Sequence, residues 1–251
     1  MSGWGWPRII AHRCGGALAP ENTLAGLRIA ALLGCRAVEF DVMLSADGEP
    51  LLIHDETLDR TAGRPGRVGA LAAAELLATD VGRPFHPAFG GETIPRLDTA
   101  LECCAALGLA VNLEIKPAAG VEQETGRVVG RHLAAFPTSR RPAVLLSSFS
   151  AAALDAASSA SPDVPRAFLV GRFDAASLAH AVRMGCAALN LSRDDLDAVA
   201  VAAVHAAGLR CLVYTVNVPD EARRLFLLGV DGVFSDRPDL LLSASPTPNF
   251  G

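Results

Sequence analysis

The sequence predicts an α/β fold of the TIM type, a (β/α)8 barrel with a small insertion after the third strand. β-like runs alternate with helical patterns along most of the chain, and this alternation is typical of a parallel sheet covered by helices. The length of 251 residues also suits one such barrel, which takes roughly 250 residues. We therefore expect a single domain over residues 1–251, with an inserted subdomain at about 55–95.

Nine runs have the composition of strands, which is one more than a closed eight-stranded barrel needs. They are Ile9–His12, Ala37–Val42, Leu51–His54, Val111–Ile115, Val144–Ser147, Ala167–Val170, Ala188–Leu191, Cys211–Val216 and Gly232–Ser235. Helical patterns such as Thr23–Leu33, Leu97–Leu107 and Leu196–Ala207 lie between them, each followed by a glycine that suits a left-handed helix stop. The sequence leaves open which of the nine runs lies outside the barrel.

The connection between the second and third runs is too short for a helix, since only twelve residues separate Asp41 from His54. After a turn at residues 46–49, an extended return of about eight residues covers roughly 25 Å. That length allows Leu51–His54 to run parallel to its neighbour, with His54 at the same rim as Asp41. The following residues, 55–95, are partly polar and glycine-rich, and we expect them to cover the barrel mouth, where substrate-selecting elements lie.

Composition and charge exclude several classes of function. A net charge of -5 and a pI of about 5.7 argue against a nucleic-acid surface. The first ten residues lack the pattern of a signal peptide, and no run offers the ~20 apolar residues of a membrane span. Six scattered cysteines without a Cys-x-x-Cys pair suit a reducing compartment. We therefore expect a cytoplasmic protein with a small-molecule partner; homo-oligomer formation is left open.

The run Val38-Glu39-Phe40-Asp41-Val42 places two carboxylates inside an otherwise buried strand. Alternation along a strand puts Glu39 and Asp41 on the same face. Two buried like charges raise each other's pKa unless a cation or hydrogen bonds compensate. We therefore expect a divalent metal beside them; the alternative is an ion-pair network with buried Arg or Lys.

A third carboxylate comes from the predicted strand that ends in Glu114-Ile115-Lys116. Because this run repeats the alternation of Glu39 and Asp41, its carboxylate is expected to converge with theirs at the barrel rim. Three hard oxygen ligands favour Mg²⁺ or Ca²⁺ over zinc, which prefers thiolates and imidazoles. The candidate metal ligands are Glu39, Asp41 and Glu114.

Two histidines, His12 and His54, stand at the ends of different predicted strands. Such a pair is suited to general acid and base catalysis. Arg13 and Lys116 add fixed positive charge, which in an acidic protein points to a phosphate oxyanion. A metal, two proton carriers and two cations together predict phosphodiester cleavage.

Other polar residues near the predicted strand ends give weaker signals. Tyr214 is interpreted as a pocket wall and Asn217 as a polar contact, with simple packing as an equal alternative for each. Asn22 or Thr23 precedes a helical pattern and suits a helix cap. For these two residues the structural interpretation is favoured over a catalytic one.

These motifs together resemble the glycerophosphodiester phosphodiesterase family, within the wider group of phospholipase C-like barrels. The residues Tyr214-Thr215-Val216-Asn217 and Asn249-Phe250 are most similar to the short cytoplasmic bacterial members. The other matching pieces are Ala11-His12-Arg13, Pro20-Glu21-Asn22-Thr23, Val38-Glu39-Phe40-Asp41-Val42, Leu52-Ile53-His54-Asp55, Leu113-Glu114-Ile115-Lys116 and Gly229-Val230-Asp231-Gly232.

The resemblance implies metal-dependent hydrolysis of glycerophosphodiesters to sn-glycerol 3-phosphate and an alcohol, a reaction of lipid and glycerol metabolism. It implies one divalent ion, Mg²⁺ or Ca²⁺, and general acid/base catalysis by two histidines. Carried over by position, the catalytic residues are His12 and His54, the substrate-binding residues are Arg13, Lys116, Tyr214 and Asn217, and the metal ligands are Glu39, Asp41 and Glu114.

Two other functions remain open. The first is phospholipase-type cleavage of a lysophospholipid or phosphoinositide. The second is a non-catalytic sensor of a phosphate ligand, because Cys14 stands where the family usually has glycine. Glycine there would permit a turn that side chains disfavour. We expect the backbone to tolerate the cysteine, and we do not expect its thiol to act as a nucleophile.

Overall fold

The computed structural model describes residues 5–194 and 196–244, and in this part of the chain eight parallel strands close into a barrel. Neighbouring strands follow chain order around the barrel, and the first pairs with the last, Ile10 opposite Phe234. The barrel strands are β1 (Ile9–Ala11), β2 (Ala37–Leu44), β4 (Ala110–Ile115), β5 (Val144–Ser148), β6 (Arg166–Val170), β7 (Ala188–Ser192), β8 (Arg210–Tyr214) and β9 (Gly232–Ser235), and the remaining strand is β3 (Pro50–Leu52). The predicted TIM-type barrel is confirmed.

Eight helices separate or follow the barrel strands within the described residues. They are α1 (Leu24–Leu32), α5 (Leu97–Leu107), α6 (Glu122–Ala135), α7 (Ala151–Ala160), α8 (Ala175–Arg183), α9 (Ala198–Ala206), α10 (Pro219–Leu227) and α11 (Pro238–Ser243). Thr23 begins α1 as its N-cap, because its hydroxyl oxygen accepts a hydrogen bond from the Gly26 N–H at 3.1 Å. None of the helices in residues 5–194 and 196–244 has the length and apolar composition of a membrane span.

The run Leu51–His54 is the candidate strand that lies outside the barrel, and the expectation that it runs parallel to its neighbour was wrong. β3 pairs antiparallel with β2, with Leu52 opposite Val42 and Pro50 opposite Leu44. An antiparallel partner needs only a tight turn, whereas a parallel one needs a crossover of a dozen or more residues. β2 therefore continues above the rim of the barrel. After the turn the chain returns to the rim, where the Ile53 N–H donates to the Asp41 carbonyl at 3.1 Å.

The interior of the barrel is apolar at one end and polar at the other. A lower layer of buried side chains contains Ile10, Ala37, Leu145, Ala167, Ala188, Leu212 and Phe234. Above it, the Asn112 amide donates to the Ser147 hydroxyl at 2.7 Å, and the Asn190 amide donates to Asn112 at 3.4 Å. This polar layer is the floor on which the candidate site is built.

Residues 55–95 hold three short helices, α2 (Asp59–Ala62), α3 (Ala73–Leu77) and α4 (Gly82–Phe85), and two 3-10 turns. A small apolar cluster lies beneath them, separate from the large core between the barrel strands and the outer helices. Its buried members are Met43, Leu51, Ile53, Leu58, Val68, Leu76, Val81 and Ile94. This arrangement follows the predicted location of the insertion; the division of the chain into one domain with an inserted subdomain stays a prediction.

Candidate active site

Three carboxylates converge inside the upper end of the barrel. Glu39 and Asp41 lie on β2 and face the same side, and Asp41 stands opposite Glu114 of β4 in the strand register. One oxygen of each carboxylate lies within 4.8 Å of the others. Glu39 is 3% exposed and Asp41 1%. The structure thus brings together the three side chains that the sequence selects as metal ligands.

Burial and mutual repulsion set the protonation of this cluster. Burial, with Asp41 and Glu114 adding to it, raises the pKa of Glu39 well above its usual range. Burial and Asp41 raise the pKa of Glu114 to about 7. For Asp41, burial works in the opposite direction, but Lys116 and other positive neighbours hold its pKa below the usual value. Asp41 is thus ionised in the protein, whereas Glu39 needs additional positive charge nearby to be ionised.

The donor set fits a hard divalent cation. Glu39 Oε2 accepts the Arg13 backbone N–H at 2.8 Å, but the buried Glu39 Oε1 has no hydrogen-bond partner among the described residues. An ion-pair network accounts for Asp41, which lies 3.6 Å from Lys116 Nζ and 3.9 Å from Arg13 Nε. It leaves Glu39 Oε1 unexplained, and carboxylate oxygens are the ligands that Mg²⁺ and Ca²⁺ prefer.

Each of the two histidines is held by an aspartate at its Nδ1 atom. His12 Nδ1 lies 2.7 Å from Asp236 Oδ1, and His54 Nδ1 lies 2.6 Å from Asp55 Oδ1. This contact turns the Nε2 atom of each ring away from its aspartate: His12 Nε2 lies 3.8 Å from Glu39 Oε2. His54 Nε2 lies 2.7 Å from Lys116 Nζ. Because an ammonium only donates, this geometry assigns the accepting, neutral tautomer to His54.

Two cations stand beside the carboxylates. Lys116 Nζ lies 3.5 Å from Glu114 Oε1, in addition to its contacts with Asp41 and His54. Arg13 follows β1, and its Nε atom is buried without a hydrogen-bond partner among the described residues. Burial lowers the pKa of His54, so the fixed positive charge at this rim comes from Arg13 and Lys116.

Two cavities meet at these residues. The smaller, of about 220 Å³, lies at the barrel axis and is lined by both histidines, the three carboxylates and Lys116. The larger, of about 650 Å³, lies between the rim and the insertion, and we call it the rim groove. His12, Arg13 and Thr215 line both, so a ligand bound at these three side chains has access to both spaces.

The sequence from residue 12 to residue 240 matches the model of the glycerophosphoryl diester phosphodiesterase family. The chain belongs to this family. It is therefore an enzyme, a phosphoric diester hydrolase, and the predicted resemblance is confirmed. The matched range contains every described site residue, from His12 to Asp236.

Relatives of similar length share the name of the family. The phosphodiesterase is 30% identical over 244 residues to a glycerophosphodiester phosphodiesterase of Bacillus altitudinis, covering 92% of this chain and 95% of the relative. It is 29% identical to one of Caldanaerobacter subterraneus, with 94% and 96% covered. A solved phosphodiesterase of Oleispira antarctica, in complex with the product sn-glycerol-3-phosphate, superposes with a TM-score of 0.89 at 37% identity, covering 95% of this chain and 96% of that one.

Two predicted substrate contacts of the phosphodiesterase lie at the edge of the site. Tyr214 lines the smaller cavity; its hydroxyl donates to the Val170 carbonyl at 2.9 Å, and its ring makes an edge contact with Phe149 at 6.1 Å. Asn217 lines the rim groove and holds Asp236, donating to its Oδ2 at 3.2 Å and accepting its N–H at 2.8 Å. Contact of either residue with substrate stays a prediction. The matching residues Asn249-Phe250 lie outside the described residues.

Sequence reasoning missed two residues that shape the site. Asp236 directly follows β9, and a polar residue at the end of a predicted strand is the signal that selects His12 and Lys116. Asn22 was considered only as a helix cap, a role that Thr23 fills. Instead its amide donates to Asp41 Oδ2 at 2.9 Å, and its carbonyl oxygen accepts the Asp41 N–H at 3.1 Å.

Cys14, the departure from the family pattern, has a φ of +74°. This left-handed conformation favours glycine. Its side chain is buried towards Gly26, where an added Cβ would lie 2.9 Å from the Cys14 Cβ, so the absence of a side chain at Gly26 makes room for the cysteine. Burial raises the pKa of the Cys14 thiol well above its usual value, which opposes a role as a nucleophile.

Proposed function

We propose that this phosphodiesterase hydrolyses glycerophosphodiesters to sn-glycerol 3-phosphate and an alcohol, with the help of a divalent metal and two histidines. The supporting observation is the convergence of three carboxylates, two aspartate-held histidines and two cations on one small cavity. The names of the relatives and the product held by the Oleispira antarctica enzyme support the substrate class.

Glu39, Asp41 and Glu114 are the proposed ligands of one Mg²⁺ or Ca²⁺ ion. When bound, such an ion supplies positive charge that offsets the charge developing on the phosphoryl oxygens. Asn22 keeps Asp41 in place through its two hydrogen bonds. The Arg13 N–H holds Glu39 Oε2, which leaves the unpartnered Oε1 for the ion.

Arg13 and Lys116 are the proposed phosphate-binding residues. Both line the small cavity, and their side chains are about a quarter exposed, so a phosphate can reach them while much of the water is excluded. Charge-assisted hydrogen bonds from such donors to a phosphate are roughly twice as strong as neutral ones. Tyr214 is proposed as a wall of the substrate cavity and Asn217 as a polar contact at its edge.

His12 and His54 are the proposed proton carriers. In the overall reaction, an attacking oxygen forms a bond to phosphorus and loses its proton to one histidine. The bond between phosphorus and the alcohol oxygen breaks, and that oxygen receives a proton from the other histidine. Asp236 and Asp55 keep the two Nε2 atoms turned inward, so that no rotation is needed before a proton moves.

The test is a hydrolysis assay of purified protein with glycerophosphodiesters in Mg²⁺, Ca²⁺ or Mn²⁺ and in chelator. We expect sn-glycerol 3-phosphate in at least one metal and loss of turnover in chelator. Faster cleavage of lysophospholipid or phosphoinositide would support the phospholipase alternative. Metal-dependent binding of glycerol 3-phosphate with no turnover of any diester would support the sensor. A cytoplasmic location remains a prediction.

A further inference from the structure

The rim groove is the second cavity beside the proposed phosphate-binding residue Arg13. The role proposed for this groove rests on the hydrolysis proposed above. The groove is bounded on one side by the residues after β1 and β9, and on the other by the insertion. Its lining includes Gly16, Pro20, Arg60, Phe85 and Arg237. The proposed metal ligands do not line it, so it is a place for a part of the substrate away from the metal.

A phosphodiester has two alcohol arms, and in an in-line displacement the attacking and leaving oxygens lie on opposite sides of phosphorus. The two cavities meet at His12, Arg13 and Thr215. The glycerol arm is common to all substrates of this class and fits the smaller space of about 220 Å³. The variable alcohol is then directed to the groove of about 650 Å³.

The charges that line the groove leave no carboxylate free for a cationic alcohol. Both oxygens of Glu21 accept from Arg60, at 2.6 and 2.8 Å. Asp236 bonds His12 through one oxygen and Asn217 through the other. Three guanidinium groups, those of Arg13, Arg60 and Arg237, line the groove beside these two carboxylates. Arg60 also pairs with Asp55 and Arg237 with Asp239.

Among the described residues, the lining of the groove also lacks the aromatic cage that quaternary ammonium groups prefer. Phe85 is the aromatic side chain among its lining residues, and its ring makes an edge contact with Phe89. Recognition of choline uses several ring faces around one cation. Guanidinium groups instead have five N–H donors each; Arg237 uses its Nε and Nη2 atoms on Asp239, which leaves donors for hydroxyl oxygens.

We propose that the rim groove binds the leaving alcohol and that it selects neutral, hydroxyl-rich alcohols such as glycerol and inositol over choline. The selection comes from guanidinium donors, from carboxylates already neutralised by partners, and from the absence of an aromatic cage among the lining residues. It is a property of this chain's groove and is separate from the chemistry at the metal.

The experiment compares kcat/KM for glycerophosphoglycerol, glycerophosphoinositol and glycerophosphocholine under one metal condition. We expect the two polyol diesters to exceed the choline diester by about ten-fold, the discrimination that one unfavourable pocket contact provides. Turnover of the choline diester at an equal or higher kcat/KM overturns the selection while leaving the hydrolysis intact. Absence of turnover with all three contradicts the proposed function itself.

A matched pair of variants locates the selection in the groove. Arg237→Gln removes a lining guanidinium and should narrow the polyol preference several-fold, with most of the change in KM. Arg67→Gln removes a guanidinium of the insertion that pairs with Glu56 and does not line the groove, so its preference should equal that of the wild type. Equal preferences in both variants and the wild type, with thermal unfolding unchanged, would place the selection elsewhere.

Discussion

At the scale of single residues, the orientation of each proposed proton carrier depends on one carboxylate. For Asp236, burial opposes ionisation, but the bond to His12 and other partners hold its pKa below the usual value. A hydrogen bond from Arg60 holds the pKa of Asp55 at about 2. Both aspartates are therefore anions at neutral pH and keep an N–H on the Nδ1 atom of each ring.

Replacing His54 with alanine should reduce kcat by about 10²–10⁴, the usual contribution of a general acid or base. The side chain is 25% exposed, so its loss should leave the fold intact. His132→Ala is the matched control, because that histidine pairs with Asp98 on the outside of the barrel. Steady-state kinetics and thermal unfolding measure both, and a folded His54→Ala enzyme of full activity would contradict the mechanism.

The predictability of site residues depended on whether their signal was local. Glu39, Asp41 and Glu114 could be selected because strand alternation and strand ends are visible in the sequence. The bonds of Asn22 to Asp41 and of Asp236 to His12 join positions 19 and 224 residues apart. No periodicity relates such positions, so only the closed barrel shows that they meet.

At the scale of elements, a side chain of α2 connects the insertion to the barrel rim. The Arg60 guanidinium donates to both oxygens of Glu21 and, through Nε, to Asp55 Oδ2 at 2.7 Å. Asp55 in turn holds His54, and Glu21 lies 3.3 Å from the Arg13 guanidinium. The insertion thus contributes to the position of a proposed proton carrier and of a proposed phosphate-binding residue.

Arg60→Gln should lower kcat more than it changes KM for a given diester, since it releases Asp55 and loosens His54. A loss of about ten-fold corresponds to 1.4 kcal/mol of transition-state stabilisation. Arg67→Gln, which removes a different ion pair of the insertion, should have the kcat of the wild type. Equal kcat values for the two variants, both folded, would show that Arg60 has no positioning role. Arg60→Lys should restore only part of the loss, because lysine cannot bridge both carboxylates.

Asp55 also provides a pH-dependent contribution to stability. Its pKa is about 2 in the folded protein and about 3.9 in an unfolded chain, so it stabilises the fold above the unfolded value and loses this effect as the pH falls through the folded value. Asp55→Asn should therefore be less stable than the wild type at pH 6, with the difference shrinking between about pH 4 and pH 2. Denaturant unfolding across this range measures it; a difference independent of pH would contradict the ion-pair origin.

The elements themselves followed from the sequence wherever a helix separated two strands. The prediction was wrong at β3, where direction depends on the number of residues between two strands and on what packs above the rim. Met43 and Leu51 belong to the apolar cluster under the insertion, and this packing favours a hairpin over a parallel return. A prediction based on the barrel strands alone does not include that cluster, and so it could not give the direction of β3.

At the scale of the whole molecule, the net charge of -5 coexists with a buried acidic centre. As proposed metal ligands, the three carboxylates would stabilise a bound cation at the expense of the metal-free fold, because buried like charges without a counter-ion are costly. The proposed metal binding would therefore be coupled to folding.

Adding Mg²⁺ or Ca²⁺ to chelator-treated protein should raise its thermal midpoint. The free energy of unfolding should increase by about 2.7 kcal/mol when the ion is at 100 times its Kd. Glu39→Gln should unfold at a higher temperature than the wild type in chelator, since a buried amide avoids the cost of holding a carboxyl group whose pKa burial raises well above its usual range, and it should respond less to metal. Glu102→Gln, at a surface pair with Arg140, is the control. A Glu39→Gln protein with an undiminished response to metal would exclude Glu39 as a ligand.

The hairpin of β2 and β3 constrains how this protein can change during evolution. Its turn, residues 45–49, is closed by the Ser45 N–H donating to the Glu49 carbonyl at 3.0 Å, and exposed turns of this kind usually tolerate changes in length. Here one added or deleted residue that shifted the pairing would turn the β3 side chains to the opposite face. His54 would leave the rim with them. The length of an outlying surface turn is thereby tied to the position of a proposed proton carrier, and changes in this turn should be limited to substitutions.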